Sequence, residues 1–364
     1  GCAPNGNPPL PPGELLGMSH ALGHRLRDGS FPAASETRKT GVVIVGGGIS
    51  GLSAAWRLAN AAVDDFLVLE MESEPGGNSR AGRSPLVAYP WGAHYLPLPP
   101  REAVHVRELL AELGVLQGDP AAEKPIYDER FLCATPQERV YRNGLWEEGL
   151  LPHRGLDAGE REQQRRFHER MEALKQARGS DGRRAFAIPM ELSSRDPEWR
   201  ELDRVSFSEW LTSNGFTAPS LHWLANYATR DDYGTAHTQT SAWAGLHYFA
   251  CRNGEAANAA ADAVLTAPDG NAWLARGLAE KAGGRILSDA LVWRIEEGKS
   301  SVAVDVLSGT KTVRIEARQL IWAGPAFLLP HVWPAMPGGL KAAAQAGDYS
   351  PWLTANLHLS DFPE

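Results

Sequence analysis

Cysteine is scarce in this 364-residue chain: three residues, at 2, 133 and 251, are too few and too scattered for a disulfide framework or a Cys-based zinc site. No metal site is expected. Long apolar runs are missing too. A helix needs roughly 18 consecutive apolar residues to span a bilayer, and even the stretch from Leu52 to Leu69 is broken by Arg57, Asp64 and Asp65. Positive charge is in short supply. With 36 basic against 44 acidic side chains, the net charge is -8 and the pI about 5.8, which argues against a nucleic-acid partner. What is left is an ordinary globular composition, 43% hydrophobic and 22% charged, in a length that suits two domains or one large elaborated domain. Twelve tryptophans are many for that length.

The chain opens on Gly1-Cys2-Ala3 and a run rich in Pro, Gly and Asn up to Gly13. Such composition buries no core, and residues 1–40 read as a flexible tether. Gly-Cys is also what surrounds the processing site of a bacterial lipoprotein, where the cysteine becomes lipidated. Two readings therefore stand: an exported protein anchored through Cys2, or a cytoplasmic protein with an ordinary cysteine.

Chemistry begins at Gly41. The apolar, β-branched run Gly41-Val-Val-Ile-Val45 leads into Gly46-Gly47-Gly48-Ile49-Ser50-Gly51 and then Leu52-Ser-Ala-Ala-Trp-Arg-Leu58: strand, turn, helix. Glycines 46, 48 and 51 fit GxGxxG, which serves a tight turn, close approach of backbone to a pyrophosphate, and close packing of helix on strand. Phosphate then sits on the amides of Ile49, Ser50 and Gly51 at the helix start. A second strand, Phe66–Leu69, ends in Glu70, nineteen residues after Gly51, where a carboxylate accepts hydrogen bonds from ribose hydroxyls.

After Glu70 comes Gly76-Gly77-Asn78-Ser79-Arg80, with a further arginine at 83. Here the chain resembles the flavin-dependent amine oxidase and phytoene desaturase superfamily, in which a GG-R segment brings backbone amides and an arginine to the FAD diphosphate. The family usually has Arg directly after the glycines. This sequence has Asn78 there, so Arg80 or Arg83 takes that role. The resemblance implies FAD as cofactor and an α/β fold: an FAD-binding Rossmann-type domain with an interleaved α+β substrate domain, amine oxidase-like. It places Trp91, Gly92, Ala93 and His94 along the isoalloxazine ring, with His94 the first acid/base or flavin-tuning candidate against the plainer reading of a packed histidine. Pro268-Asp-Gly270-Asn271 resembles the turn that re-enters the FAD domain, followed by strands around Ile286–Leu287, Leu291–Ile295, Val302–Val306, Thr312–Ile315 and Gln319–Ala323. Val292 falls where family members clasp the adenine, and Ala323 ends the last strand. The implied division is 41–100 with 264–330 for FAD, and 101–263 with 331–364 for substrate.

Within the middle region, Asp157–Arg184 reads as an amphipathic helix with a solvated face. Tyr227-Ala-Thr-Arg230-Asp231-Asp232-Tyr233-Gly234 precedes a helix-length segment in which Trp243, His247 and Tyr248 share one face. An aromatic wall beside paired carboxylates suits an organic cation, with Asp231, Asp232, Tyr233 and Trp243 as substrate contacts and His247 and Tyr248 as catalytic candidates. A core stripe and a structural Arg230–Asp231 ion pair are the competing reading.

Two features depart from the family pattern. Many flavin amine oxidases carry a lysine beyond the strand corresponding to Leu320–Ala323; around Tyr349–Leu357 there is none, and Lys341 falls earlier, in an expected helix. The family also ends in a Gly-Asp and a helix that cover the FAD ribityl, whereas Gly347-Asp348 is followed by Tyr-Ser-Pro. A second chain or a further C-terminal segment is then expected to complete the FAD site. The resemblance implies an FAD-dependent oxidoreductase that removes hydride from an amine-like C–N substrate. A desaturase or isomerase of an apolar substrate and a non-catalytic flavoprotein are the alternatives.

Overall fold

The computed structural model describes residues 12–133, 138–359 and 361. Cys2 and the residues up to Pro11 lie outside the described residues, and so does the question of lipidation. The chain divides into two compact units, one of Gly1–Arg80 with Leu274–Gly347, the other of Ala81–Trp273 with Asp348–Glu364.

The first unit is built on a six-stranded sheet in the order Ile286–Leu287, Phe66–Leu69, Ala34–Val45, Lys311–Trp322, Val302–Ser308, Ala290–Glu297. The first four strands are parallel and the last three form an antiparallel meander. The pairing of Val42 with Phe66 and Val45 with Leu69 sets the register at the centre. Val42 to Val45 are buried, and they split between two cores: Val43 and Val45 face Leu26, Leu329 and Trp333, while Val42 and Ile44 face Ala54, Ala55 and Leu58. A parallel strand covered on both faces explains the unbroken β-branched run.

The tether expected over residues 1–40 is corrected by this arrangement. His20–Asp28 is a helix, and the first strand starts at Ala34, pairing from Thr312 through Ala317 on the neighbouring strand. The segment Ser35–Lys39 is exposed and polar on both faces, so its strand is carried by ladder hydrogen bonds and leaves no hydrophobic pattern to read. The residues before it are also held. Phe31 stacks on Trp293 with centroids 4.8 Å apart and Arg25 lies over Phe31 at 5.2 Å. The two strands expected at Thr312–Ile315 and Gln319–Ala323 are one strand, Lys311–Trp322.

The second unit packs the helices Ala158–Gln176, Phe207–Ser213, Pro219–Tyr233 and Ala242–Ala250 around Phe167, Phe186, Phe207, Leu211, Leu221 and Leu246. The helix expected over Asp157–Arg184 stops at Gln176, its start capped by Asp157 accepting from the Glu160 amide. Unit limits differ from the expected ones: 81–100 and 264–273 belong with the second unit. Residues 331–347 belong with the first, where Val332 and Trp333 pack against the meander. Among the described residues no helix is long and apolar enough to cross a membrane, and no cluster of metal-ligating side chains occurs.

Candidate functional site

The glycine turn lies between the first strand and the helix Ile49–Asn60, whose first amides have no acceptor within the helix. At Gly51 a Cβ would come within 1.8 Å of the Gly46 carbonyl oxygen, so only glycine lets the helix start this close to the strand end. Ala323 sits beside the same turn, its amide donating to Val45 O at 2.8 Å. The second glycine segment runs alongside: the Gly76 amide donates to Gly47 O at 2.8 Å, and Gly76 adopts φ +129°, a backbone that side chains avoid. The two glycine stretches thus lie side by side at the start of the helix, whose first amides are the donors left for a diphosphate.

Glu70 ends the second strand as expected and is buried. Its Oε2 accepts from the Gly47 amide at 2.7 Å and its Oε1 from the Glu72 amide at 2.9 Å. The carboxylate therefore braces the turn. Arg80 is turned differently from the expectation. It lies 3.6 Å from the Glu72 carboxylate and donates to Gly17 O at 3.3 Å. Glu72 in turn accepts from the Ser19 amide at 2.8 Å and the Ser19 hydroxyl at 2.9 Å. Arg83 is exposed on a short hairpin of the second unit. Val292 is buried opposite Val306, immediately before a bulge in the meander.

In the second unit, the loop Trp91–Tyr95 is fastened from one side. Asn271 donates through its amide to Ala93 O at 2.9 Å and through its side chain to Tyr95 O at 2.9 Å, and Thr266 Oγ1 donates to His94 O at 2.6 Å. The turn at Gly270 and Asn271 thus positions the segment that the resemblance assigns to the flavin ring. His94 is exposed, and its Nδ1 lies 2.9 Å from Gly92 O. A carbonyl only accepts, so Nδ1 carries a proton, and the neutral form of the ring has its lone pair on Nε2.

The aromatic helix Ala242–Ala250 does not form a single wall. Trp243 stacks on His247 at 4.9 Å and both meet Phe186 in the core. His247 Nε2 bonds Ala187 O at 2.9 Å, and burial lowers its proton affinity, so it is a neutral donor. Tyr233 is likewise tied down, its hydroxyl donating to Ala244 O at 2.8 Å.

Tyr248 takes the other direction, and its ring lies under the Arg252 guanidinium at 4.1 Å. Arg252 also donates to the Tyr95 hydroxyl at 3.3 Å and to Asp232 at 3.2 Å. The cation cage expected for a substrate is thus occupied by a side chain of the protein. Burial works against the Arg252 charge, but Tyr248, Tyr95 and Asp232 together hold its pKa above the ordinary guanidinium value. Asp232 is raised by burial against the pull of Arg252, and Glu138 is raised by burial and by its neighbours Asp262 and Asp231. Arg252, Glu138 and Asp262 escaped the sequence reading. Arg252 lies two residues past the end of the helix Ala242–Ala250, and no local pattern in the sequence marks it.

Residues 44–113 match the family of NAD(P)-binding Rossmann-like domains. Over 85% of its length the chain superposes on putrescine oxidase bound to putrescine, with 21% identity and a TM-score of 0.61 across 64% of that chain. It matches cyclohexylamine oxidase from Brevibacterium oxydans IH-35A with 19% identity and a TM-score of 0.56, covering 85% of this chain and 63% of that one. A CLA-producing fatty acid isomerase from P. acnes gives 17% identity and a TM-score of 0.59, with 84% and 63% covered. No curated protein sequence matches the chain. The chain spans a little under two thirds of the length of these structural relatives.

Proposed function

We propose, from a fold shared with the flavin-dependent amine oxidase superfamily, that this chain belongs to an FAD-dependent oxidoreductase acting on an amine-like C–N substrate. The nucleotide unit fits FAD. The helix start at Ile49, between two adjacent glycine stretches, would supply amides for the diphosphate, and the buried Glu70 a carboxylate for the ribose. When bound, FAD supplies the hydride acceptor. The chain's own residues bind, orient and move the proton: His94, with its Nε2 lone pair, is the proton acceptor in this reading, while His247 and Tyr248 hold the walls. Burial pushes the Tyr248 hydroxyl pKa up, which suits a packed ring better than an acid.

The observation that carries the amine assignment is charge excess. Arg252 pairs with Asp232 and also acts on Glu138, but Asp231 and Asp262 interact in the same cluster beside Tyr227, Tyr95 and Tyr248, so one cation faces four carboxyl groups. A cationic substrate answers that imbalance. A second reading, a desaturase or isomerase of an apolar substrate, is favoured by an apolar cavity of about 210 Å³ lined by Leu151, Phe167, Met171, Leu224 and Phe249.

Gln319–Trp322 pair with the first strand on one side and, among the described residues, with no strand on the other. A further strand at that edge, from the same polypeptide or a second chain, is part of the proposal and would support FAD retention.

Anaerobic titration of flavin-loaded protein with amines, amino acids, polyamines and fatty acids tests the reading. Bleaching near 450 nm, the approximate absorbance of oxidised flavin, by an amine supports it. A response to fatty acids alone transfers the assignment to the second reading. Bound flavin that no reductant bleaches points to a non-catalytic flavoprotein, and failure to bind FAD overturns the whole.

A further inference from the structure

The second unit holds a polar cavity of about 380 Å³ that belongs neither to the nucleotide cleft nor to the Arg252 cluster. Two of the arginines that line it are almost fully buried. Arg107 is 2% exposed and Arg184 5%. Guanidinium groups taken this far from water normally meet a carboxylate. These two do not: among the described residues neither forms an ion pair.

Arg107 donates instead to the carbonyls of Pro99, Pro120 and Ala122. Arg184 donates to the carbonyls of Lys175 and Ala250 and to Asn253 Oδ1, and its Nε has no partner at all. Carbonyl dipoles orient a buried cation without neutralising it. Burial accordingly pulls the Arg184 guanidinium pKa down from its ordinary value, with Glu102 the strongest countercharge it feels.

The rest of the lining does not restore balance. Arg101, Arg178 and Lys175 add three more cations, against Glu102, Glu123 and Glu255. Glu255 is already engaged by Lys124 at 3.3 Å, and Lys175 by Glu172 at 2.6 Å. In a chain with net charge -8, a cavity with five basic and three acidic lining residues is a local reversal of sign. The Asn253 side chain, accepting from Arg184 through Oδ1, keeps its amide donors for another acceptor.

We propose that this cavity binds a compact oxyanion of two or more negative charges, a phosphate-bearing or dicarboxylate small molecule, held by the donors that the carbonyls leave free, Nη2 of Arg107 and Nε and one Nη1 hydrogen of Arg184, together with Arg101 and Arg178. Guanidinium N–H groups form charge-assisted hydrogen bonds to carboxylate and phosphate oxygens alike. The volume is many times the roughly 30 Å³ share of one water, so the ligand is larger than a single solvent molecule. Arg184 bridges Ala250 and Asn253, on either side of Arg252. The anion site and the substrate cluster therefore share one turn of chain.

The test is thermal unfolding and calorimetric titration of the purified protein, with and without FAD, using orthophosphate and succinate against sodium chloride at matched ionic strength. Saturable stabilisation by orthophosphate, by succinate or by both is the expected result, and which one acts identifies the ligand chemistry. The double variant Arg101→Ser/Arg178→Ser removes side chains from the exposed lining, leaves the buried arginines in place, and should weaken binding about tenfold or more with the anion-free Tm unchanged. Arg184→Lys, which keeps the charge and loses the fork, should weaken it further. Stabilisation no greater than that from sodium chloride, or binding unchanged in both variants, overturns the proposal. Because the readout needs neither flavin nor turnover, it is independent of the oxidoreductase assignment.

Discussion

The guanidinium of Arg252 rests on the ring of Tyr248, 4.1 Å from its centroid, while donating to Asp232 at 3.2 Å. The aromatic face and the carboxylate that looked suited to a foreign cation are thereby preorganised around an internal one. Arg252→Ala leaves Asp232 without its counterion in a place where burial already raises its pKa. The pair is a quarter to a third exposed, so solvent screens part of the loss. A destabilisation of about 1–3 kcal/mol is expected, measured by denaturant unfolding. Arg252→Lys should recover part of it, since an ammonium keeps the charge but not the flat stacking surface. Equal loss in both variants would place the stabilisation in stacking alone.

Glu70 gives the second prediction. Its carboxylate accepts two buried amides, Gly47 and Glu72, and faces the ribose position of the proposed FAD. Glu70→Gln keeps the shape and removes the charge, so one of those amides loses an acceptor. FAD affinity measured by fluorescence titration should fall about 10- to 100-fold. An unchanged affinity would show that the residue only braces the turn.

The glycine turn was readable because its requirements are local: residue type, spacing and a flanking strand and helix are all written within Gly41–Leu58. The same holds for the helix Ala242–Ala250 and for the turn at Gly270 and Asn271. Illegible features depend on partners far along the chain. Ala34–Thr40 becomes a strand only because Lys311–Trp322 extends beside it, and nothing in its polar alternation says so. Arg80 carries the motif's charge, yet its orientation follows from Glu72 and from Gly17 in a segment that reads as tether. Trp243 and Tyr248 looked like neighbours on one wall. They part because Phe186 draws one inward and Arg252 covers the other. The paired burial of Arg107 and Arg184 left no pattern at all, since the two are 77 positions apart.

Gly51→Ala tests the close packing of helix and turn. The added Cβ would fall 1.8 Å from the Gly46 carbonyl oxygen, a backbone atom that can yield only by moving the turn. Destabilisation of about 2 kcal/mol or more and loss of FAD binding should occur together. Gly284→Ala is a useful contrast because it has open space around its Cβ. Its φ of +78° makes it cost a backbone penalty without disturbing the nucleotide turn, so FAD affinity should be retained.

The pH dependence of stability follows from two histidines. Burial lowers the pKa of His247 and of His237, the latter also under the influence of His222, whose Nδ1 lies 3.1 Å from His237 Nε2. Unfolding returns each to an ordinary value of about 6.5, so the unfolded chain binds more protons just below that pH. The stability these neutral histidines contribute is present above about pH 6.5 and is lost progressively as pH falls toward their depressed folded values. Asp232 and Glu138 act with the opposite sign, because their raised folded pKa favours the native state when they are protonated. That contribution is fully present below their unfolded values of about 4 and is lost as pH rises through their raised folded values. Chemical denaturation from pH 7.5 to 5.5, a window set by the ordinary histidine value, should therefore show declining stability. In His247→Gln the amide still donates to Ala187 O but does not titrate, and the decline should become shallower. A slope identical to that of the unaltered protein would remove His247 as a cause and leave His237 to account for it.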